Sequence, residues 1–224
     1  MATKGDFEDR IRLQLGDTST RRHSDAEILQ WVQDAHDDLA HDTEYYLRES
    51  RADISDDVEE YDLSSVYPVK IHWVAILQGA SETSYYLIDP VSYRHYREGM
   101  NGQITTTTPS RLGTPTGYTV RGDYLYLDPC PDYDATNGLY LYYSALDVLS
   151  ASTSTSHLPQ QFHEAVVWYG MWRVHLKDED PGQANAYLNL YEKKKTELRQ
   201  WAKTARMKVP RQMPADDQRR GIIL

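Results

Sequence analysis

The spacing of the apolar residues changes twice along this chain of 224 residues, and this limits the folds open to it. Near the start, Ile28, Trp31, Val32, Ala35 and Leu39 recur at the three- and four-residue intervals of a helix with one buried face. The middle of the chain carries short segments typical of β-strands, and helical spacing then returns. This order predicts an α+β protein in which helices from both ends form one bundle.

The first two predicted helices have recognisable ends. The first contains Phe7 and Ile11 and stops before Gly16. The second starts at Ser24, because Ser-Asp-Ala-Glu is a capping box in which serine and glutamate each bond to the other residue's backbone N–H. We expect the second helix to run to about Leu47.

An antiparallel β unit is predicted for the middle of the chain. The predicted strands are 69–77, 85–88, 118–120, 124–127 and 139–143. Gly122 stands at the centre of Arg121-Gly122-Asp123, so the segments on either side form a hairpin with a glycine turn. Residues 99–115 are rich in Gly, Thr and Pro and are interpreted as a loop.

Helical patterns return in the last third. Residues 150–156 are interpreted as a Ser/Thr linker, and the apolar segment 162–174 is broad enough to be buried on most sides of a helix. Residues 178–182 interrupt this helix. A last long helix follows, and its basic end is favourable at a helix C-terminus.

These patterns divide the chain into three regions. Residues 6–50 and 157–204 are predicted to form the helical bundle, and residues 51–150 an inserted antiparallel β domain. Residues 205–224 are predicted to be an extended C-terminal tail, because prolines and lost periodicity leave this segment no core of its own.

The residue types used in catalysis are not arranged for it in this sequence. It contains no glycine-rich phosphate loop and no Gly-x-Ser-x-Gly motif. Cys130 lies between two prolines in an acidic loop, which disfavours a thiolate. His36 and His41 are five residues apart and do not share a helix face, and the acidic residues from 34 to 42 are interpreted as the solvated side of a helix. We therefore predict no catalytic residue, no metal site and no cofactor.

Charge and aromatic composition point to interfaces instead. Residues 193–224 contain ten Lys and Arg against three Asp and Glu, a net +7 in a chain of formal charge −10. The 18 tyrosines suit subunit contacts that are partly exposed to solvent, because each apolar ring carries a hydroxyl group. The acidic remainder of the chain would repel nucleic acid. An acidic protein is therefore as good a candidate as nucleic acid for the partner of the basic C-terminal segment.

The sequence predicts no membrane association. No apolar run approaches the roughly 20 residues that span a bilayer, and the polar start lacks a secretory signal, so we expect the protein to stay inside the cell. Asp outnumbers Glu by 22 to 12 and Arg outnumbers Lys by 16 to 8, a bias seen in salt-adapted proteins. A virus of a halophilic host is therefore one hypothesis.

Several short motifs occur in the order found in one known family. They are 11–17 (IRLQLGD), 24–35 (SDAEILQWVQDA), 89–93 (Asp-Pro-x-x-Tyr), 113–131 (Gly-x-Pro-x-x-Tyr-x-x-x-Gly-x-x-Leu-x-Leu-x-Pro-x-Pro), 139–143 (Leu-x-Leu-x-Tyr), 149–150 (Leu-Ser), 158–159 (Leu-Pro) and 162–169 (FHEAVVWY). By these motifs the chain resembles the head-to-tail adaptor proteins of tailed phages and archaeal tailed viruses, also called neck or head-completion proteins. The likeness extends from residue 11 to about residue 191.

The resemblance implies a virion structural protein and no enzyme. Such proteins form a ring, usually of twelve copies, under the portal at the capsid vertex, where the ring continues the DNA channel. The implied partners are the portal protein, neighbouring copies, a tail or second neck protein, and viral DNA that passes without sequence-specific contacts. The implied location is the neck of the virion, after assembly in the host cytoplasm.

The resemblance also assigns roles to two sets of residues. Several family members insert a C-terminal segment into the portal. The implied portal-binding residues are Arg206, Lys208, Arg211, Arg219, Arg220, Ile222, Ile223 and Leu224. The implied tail-facing residues of the β unit are Tyr118, Arg121, Asp123, Tyr124 and Tyr126.

The sequence is also compatible with three other functions. A tail-completion or terminator protein would ring the tail tube instead of the portal. A cellular hydrolase or metal enzyme would cluster His, Asp and Glu around a bound metal. A DNA-binding regulator would bind duplex DNA with a strong salt dependence.

Overall fold

The computed structural model describes residues 2–17, 22–79, 81–92 and 112–208. In these ranges the chain forms four α-helices and seven β-strands, which confirms the predicted α+β class. The chain divides into two compact units. The helical unit is made of Met1–Tyr46 and Ala145–Val209, and the β unit contains Leu47–Ser144.

The helical unit combines helices from both ends of the chain. They are α1 (Lys4–Leu15), α2 (Asp25–Thr43), a 3-10 turn (Gln160–Phe162), α3 (His163–Lys177) and α4 (Pro181–Lys208). All four helices contribute to one hydrophobic core, which includes Phe7, Ile11, Ile28, Val32, Leu39, Val166, Met171, Tyr191 and Leu198. Full burial of one such side chain stabilises a fold by about 1.5–3 kcal/mol, so the two ends of the chain depend on each other.

Local sequence determines where the first two helices begin. The Ser24 hydroxyl accepts a hydrogen bond from the Glu27 backbone N at 3.3 Å, and the Glu27 carboxylate accepts one from the Ser24 backbone N at 3.2 Å. The predicted capping box is therefore confirmed. Thr3 and Asp6 form a second capping box at the start of α1. Gly16 follows α1 with a φ of 65°, a left-handed conformation that explains the predicted stop.

Two acidic residues of α2 also pair with α4, although the side chains of Asp38 and Asp42 stay 43% and 42% exposed, in agreement with the predicted solvated face. Lys195 of α4 places its Nζ 3.0 Å from Asp38 Oδ2 and 2.7 Å from Asp42 Oδ2. Arg199 donates a further hydrogen bond to Asp42 at 3.0 Å, and the Tyr191 hydroxyl donates to Asp38. The hydrogen bond from Lys195 lowers the pKa of Asp42. These residues therefore join α2 to α4 by charge pairing beside the apolar core.

The β unit contains one seven-stranded sheet. Its strands are β1 (Leu47–Ile54), β2 (Glu60–Asp62), β3 (Pro68–Leu77), β4 (Tyr85–Pro90), β5 (Gly117–Arg121), β6 (Tyr124–Asp128) and β7 (Ala135–Ala145). Their order across the sheet is β1-β7-β3-β4-β5-β6-β2. Strands β3 to β7 confirm the predicted segments. Strands β1 and β2 were not predicted, because their sequences, LRESRADI and EYD, are rich in charge, as is common at sheet edges.

The predicted hairpin is confirmed, but the sheet is not antiparallel throughout. Strands β5 and β6 pair antiparallel, with Arg121 opposite Tyr124, and Gly122 turns the chain with a φ of 59°. Strands β4 and β5 are parallel, with Asp89 opposite Gly117. Parallel neighbours require a long crossover instead of a tight turn, and residues 91–116 connect these two strands. The loop predicted at 99–115 falls largely outside the described residues.

The end of α2 and the start of β1 differ from the prediction. Helix α2 ends at Thr43, where Glu44 is left-handed with a φ of 52°, and so the expected extension to Leu47 is wrong. Leu47 instead begins β1 and pairs with Ser144. Because that partner is about a hundred residues away in sequence, no local helix signal could indicate it.

The Ser/Thr segment 150–156 packs against the start of α1, so its interpretation as a linker is wrong. The backbone N–H groups of Lys4 and Gly5 donate to the carbonyls of Ser154 and Ser152 at 2.9 and 2.8 Å. The Ser156 backbone N donates to the Ala2 carbonyl at 2.9 Å. The segment therefore satisfies backbone donors at a helix start, which water would otherwise have to do.

Candidate interaction surfaces

Cys130 has the environment of an inert thiol. Its side chain is buried, and burial together with the nearby carboxylates of Glu59, Asp57 and Asp56 raises its pKa to about 12. A thiol with such a pKa stays protonated at neutral pH and is a poor nucleophile. The interpretation of Cys130 as an unreactive loop residue is therefore supported by its surroundings.

A buried polar network surrounds Asp147 in the helical unit. The Asp147 carboxylate accepts hydrogen bonds from the Tyr45 hydroxyl at 3.1 Å and from the His157 backbone N at 2.9 Å. His157 Nδ1 lies 2.8 Å from its other oxygen. Ser156 Oγ lies 3.4 Å from Asp147 Oδ2 and 2.8 Å from His36 Nε2. Burial and the adjacent carboxylate raise the pKa of Tyr45 well above its ordinary value, so its hydroxyl stays a donor.

The Ser156–His36 pair superficially resembles a nucleophile and its base. A catalytic histidine, however, usually has its second nitrogen oriented by a carboxylate, and here His36 Nδ1 lies 2.8 Å from the Val32 carbonyl. Ser156 is 1% exposed and His36 is fully buried, so no substrate reaches the hydroxyl. The network satisfies buried polar groups where the chain enters and leaves the helical unit.

Two other kinds of site have no candidate among the residues that the structure describes. No group of three or more His, Cys, Asp or Glu side chains is placed to hold a metal ion. No described helix combines the length and apolar character needed to cross a bilayer.

The predicted tail-facing residues lie on two faces of the β5–β6 hairpin. Thr119 is opposite Tyr126 and Arg121 is opposite Tyr124, so these side chains share one face. Tyr124 is 39% exposed and Tyr126 is half-buried. Tyr118 belongs to the other face and is only 7% exposed, and this burial raises its pKa. Arg121 and Asp123 are exposed at the turn.

The predicted portal-binding residues fall mostly outside the described part of the chain. Arg206 and Lys208 lie in the last turns of α4, which extends to Lys208 and not to the predicted residue 204. This longer helix agrees with the strong helix formers in its final segment, Ala-Lys-Thr-Ala-Arg-Met-Lys. The other six residues, from Arg211 to Leu224, lie beyond the described residues.

A row of aromatic side chains that was not predicted lies on one face of the sheet. Trp73 of β3 stacks on Tyr140 and on Tyr142 of β7, each with a centroid distance of 5.1 Å and interplanar angles of 15° and 22°. Tyr85 of β4 lies 5.4 Å from Tyr140. The Arg51 guanidinium lies over Tyr140 at 5.2 Å and over Tyr85 at 5.8 Å. We call Arg51, Trp73, Tyr85, Tyr140 and Tyr142 the aromatic face.

The positions of the aromatic face follow from strand register. Glu49 and Arg51 of β1 lie opposite Tyr142 and Tyr140, so all four side chains share one face of the sheet. Burial and, after it, a hydrogen bond to Glu49 raise the pKa of Tyr140. The alternation Leu-Tyr-Leu-Tyr at 139–142 indicated that tyrosines share a face, but it could not indicate that Trp73 packs between them.

Comparison with known proteins identifies the family. A model of the SU10 adaptor protein family matches residues 2–214, which is nearly the whole chain. No curated protein matches the sequence. The likeness to head-to-tail adaptors noted in the sequence is thereby confirmed at the level of the family. This chain belongs to the SU10 adaptor protein family.

Proposed function

We propose that this protein is a structural component of a tailed virus particle, an adaptor that forms a ring between the portal and the tail. The observation that carries the proposal is the family match over residues 2–214. The inert surroundings of Cys130 and the closed network around Asp147 agree with a structural role, because neither offers a reactive group to a substrate.

The two units suit different parts of this role. In the proposal, the helical unit packs side by side with the helical units of neighbouring copies, and the β unit contacts the next component of the neck or tail. A closed ring needs two different surfaces on each copy, one for each neighbour. An acidic body along the DNA channel would let viral DNA pass without binding, because like charges repel.

The C-terminal residues are the proposed portal anchor. The segment from 206 to 224 carries five basic side chains and ends in Gly-Ile-Ile-Leu, so it combines charge with a short apolar end. In the proposal, acidic groups of the portal pair with the basic side chains and a groove on the portal covers the apolar end. The proposed anchor residues are Arg206, Lys208, Arg211, Arg219, Arg220, Ile222, Ile223 and Leu224.

The β5–β6 hairpin is the proposed contact with the tail or a second neck protein. Of the five residues predicted there, Arg121, Asp123 and Tyr124 are exposed and Tyr126 is half-buried, so these four are suited to contact a partner. Tyr118 is suited to support the hairpin from its buried face.

Binding to the purified portal tests the proposal. The full chain and a chain lacking residues 206–224 are each mixed with portal rings, and co-sedimentation and electron microscopy measure the bound copies. We expect a ring on the portal with the full chain and strongly reduced binding with the shortened one. A variant with Arg219 and Arg220 replaced by Gln separates the contribution of charge from that of the apolar end.

Two outcomes would contradict the proposal. One is that neither chain binds the portal. The other is that virions assembled with the shortened chain keep normal necks and tails. Location of the protein at the far end of the tail tube would favour the terminator alternative, and this is visible in electron micrographs of labelled particles.

A further inference from the structure

We infer that the aromatic face of one copy packs against the basic second half of α4 in a neighbouring copy. This inference rests on the proposed ring and specifies which two surfaces of the chain meet in it. Of the residues concerned, only Arg206 and Lys208, at the far end of α4, already have a proposed role, which is portal binding.

The aromatic face has the composition of a protein interface. Tyrosine, tryptophan and arginine dominate the residues that carry binding energy in interfaces. Here four rings and one guanidinium occur together, and Trp73, Tyr85, Tyr140 and Tyr142 are all half-buried. Leu87 adds an apolar side chain that is 37% exposed. It lies on the same face of the sheet as Trp73, because its strand partner Ala75 is two residues from Trp73.

The face is already ordered before any partner binds. The near-parallel stacking of Trp73 on Tyr140 and Tyr142 fixes the ring orientations, and the Tyr85 hydroxyl donates to the Asn137 carbonyl at 2.7 Å. Side chains that are fixed in advance lose little conformational entropy on association. The contact energy of the rings is therefore available to a partner.

Charge selects a cationic partner for this face. The described residues of the β unit contain thirteen Asp and Glu against four Lys and Arg, and Glu49 and Asp53 lie on the β1 side of the aromatic face. Aromatic rings attract a cation placed over their faces, and the position of Arg51 over Tyr140 and Tyr85 shows that these rings accept one. A nucleic acid strand could stack on the rings, but the surrounding carboxylates would repel its phosphates.

The second half of α4 supplies the matching charge in the same chain. From residue 193 to residue 208 it contains seven Lys and Arg and one acidic residue. Lys195 and Arg199 are engaged with the carboxylates of α2, whereas Lys193 and Lys203 are exposed. A chain that carries an acidic aromatic surface and a separate basic one is able to join its neighbour head to tail, which is the contact that closes a ring.

Photocrosslinking between copies tests the inference. Leu87 is replaced by benzoylphenylalanine in the full chain, which is mixed with isotopically labelled wild-type chain and irradiated both alone at high concentration and bound to the portal. Mass spectrometry then identifies the crosslinked peptides. We expect crosslinks from the probe to residues 193–208 of a labelled copy. Benzoylphenylalanine at Leu13, which is 74% exposed on α1, is the matched control and should give no crosslink to that segment.

Reversing the charge of two exposed lysines of α4 tests the contribution of charge to the crosslink yield. Lys193→Glu with Lys203→Glu in the labelled partner chain should lower the yield of the Leu87 crosslink by about tenfold, and added salt should lower it as well. Urea unfolding of the double variant confirms that these exposed substitutions leave the fold intact.

Crosslinks from Leu87 only to the portal, to a tail protein, to DNA or to another segment of the chain would overturn the inference. So would the absence of any crosslink between copies in both samples. Portal binding by the wild-type chain is measured separately, so a failed ring contact can be distinguished from a failed adaptor function.

Discussion

His157 holds the carboxylate of Asp147 through two contacts at once. Its backbone N donates to Oδ2 at 2.9 Å, and its Nδ1 lies 2.8 Å from Oδ1. Asp147 is 1% exposed, whereas the imidazole is about half-exposed and stacks on Tyr46 at a centroid distance of 4.3 Å. The Ala145 backbone N donates to the Tyr46 carbonyl at 2.9 Å, so this cluster fixes both places where the chain crosses into the helical unit.

Replacing Asp147 with Ala should lower the free energy of unfolding by about 3 kcal/mol, because buried donors from Tyr45 and His157 lose their acceptor. Tyr45→Phe removes a single hydroxyl and should cost about 1 kcal/mol. Urea unfolding followed by circular dichroism measures both values. The exposed Asp9→Ala is the control, and a cost below about 1 kcal/mol for Asp147→Ala would contradict the role assigned to this network.

Gly170 allows α1 and α3 to approach each other closely. A Cβ atom at this position would lie 2.3 Å from Ile11 Cδ1 and 3.1 Å from Ile11 Cγ1. Gly170→Ala should therefore destabilise the protein by about 1–3 kcal/mol, although alanine favours a helix over glycine. Ile11→Val removes the clashing methyl, so the double variant should be more stable than the sum of the two single costs predicts. Additive costs in thermal unfolding would show that the two positions are not coupled.

His36 should make stability depend on pH near neutrality. Burial lowers the pKa of His36 from its ordinary 6.5, and burial lowers the pKa of His163 too. Below about pH 6.5 the unfolded chain therefore binds protons that the folded chain does not, and the free energy of unfolding falls as the pH decreases. His36→Gln should flatten this dependence between pH 6.5 and 5, by at most about 1.4 kcal/mol per pH unit. His41→Gln, an exposed change on the same helix, is the control, and equal slopes for wild type and His36→Gln would refute the prediction.

The Glu27 carboxylate should make the free energy of unfolding depend on pH in the acidic range. Lys177 Nζ lies 2.5 Å from the Glu27 carboxylate. This contact, together with the hydrogen bond from the Ser24 backbone N, lowers the pKa of Glu27 from 4.5 to about 2. The stabilisation is therefore present above about pH 4.5 and is lost as the pH falls towards about 2. Glu27→Gln should destabilise the protein at pH 7 and have little further effect at pH 2. An equal loss at both pH values in urea unfolding would indicate that charge is not the cause.

Cys130 should resist modification in the folded protein. Because burial raises its pKa to about 12, the thiol is protonated at pH 8 and is shielded from reagents. We expect no labelling by Ellman's reagent in native buffer over an hour and one equivalent in urea. Prompt labelling of the native chain would mean that the loop around Cys130 opens readily.

The candidate surfaces were predictable only in part. The sequence indicated the hairpin that presents Tyr124 and Arg121, because a glycine between two β-rich segments is a local signal. It could not separate Tyr118, which is buried, from Tyr124, because burial depends on what the sheet packs against. The aromatic face was missed for a related reason, since Trp73 and Tyr140 meet only after β3 and β7 become neighbours in the sheet.

The sequence by itself determined where several helices and turns of this protein begin and end. It also indicated the family. Ser24, Gly16 and Gly122 act through bonds and backbone angles within a few residues, so their effects do not depend on the rest of the fold. The tertiary structure alone decided where α2 gives way to β1 and that Lys195 forms ion pairs with two carboxylates of α2. These outcomes depend on pairing between residues about a hundred or more positions apart, where packing and strand register outweigh local preference.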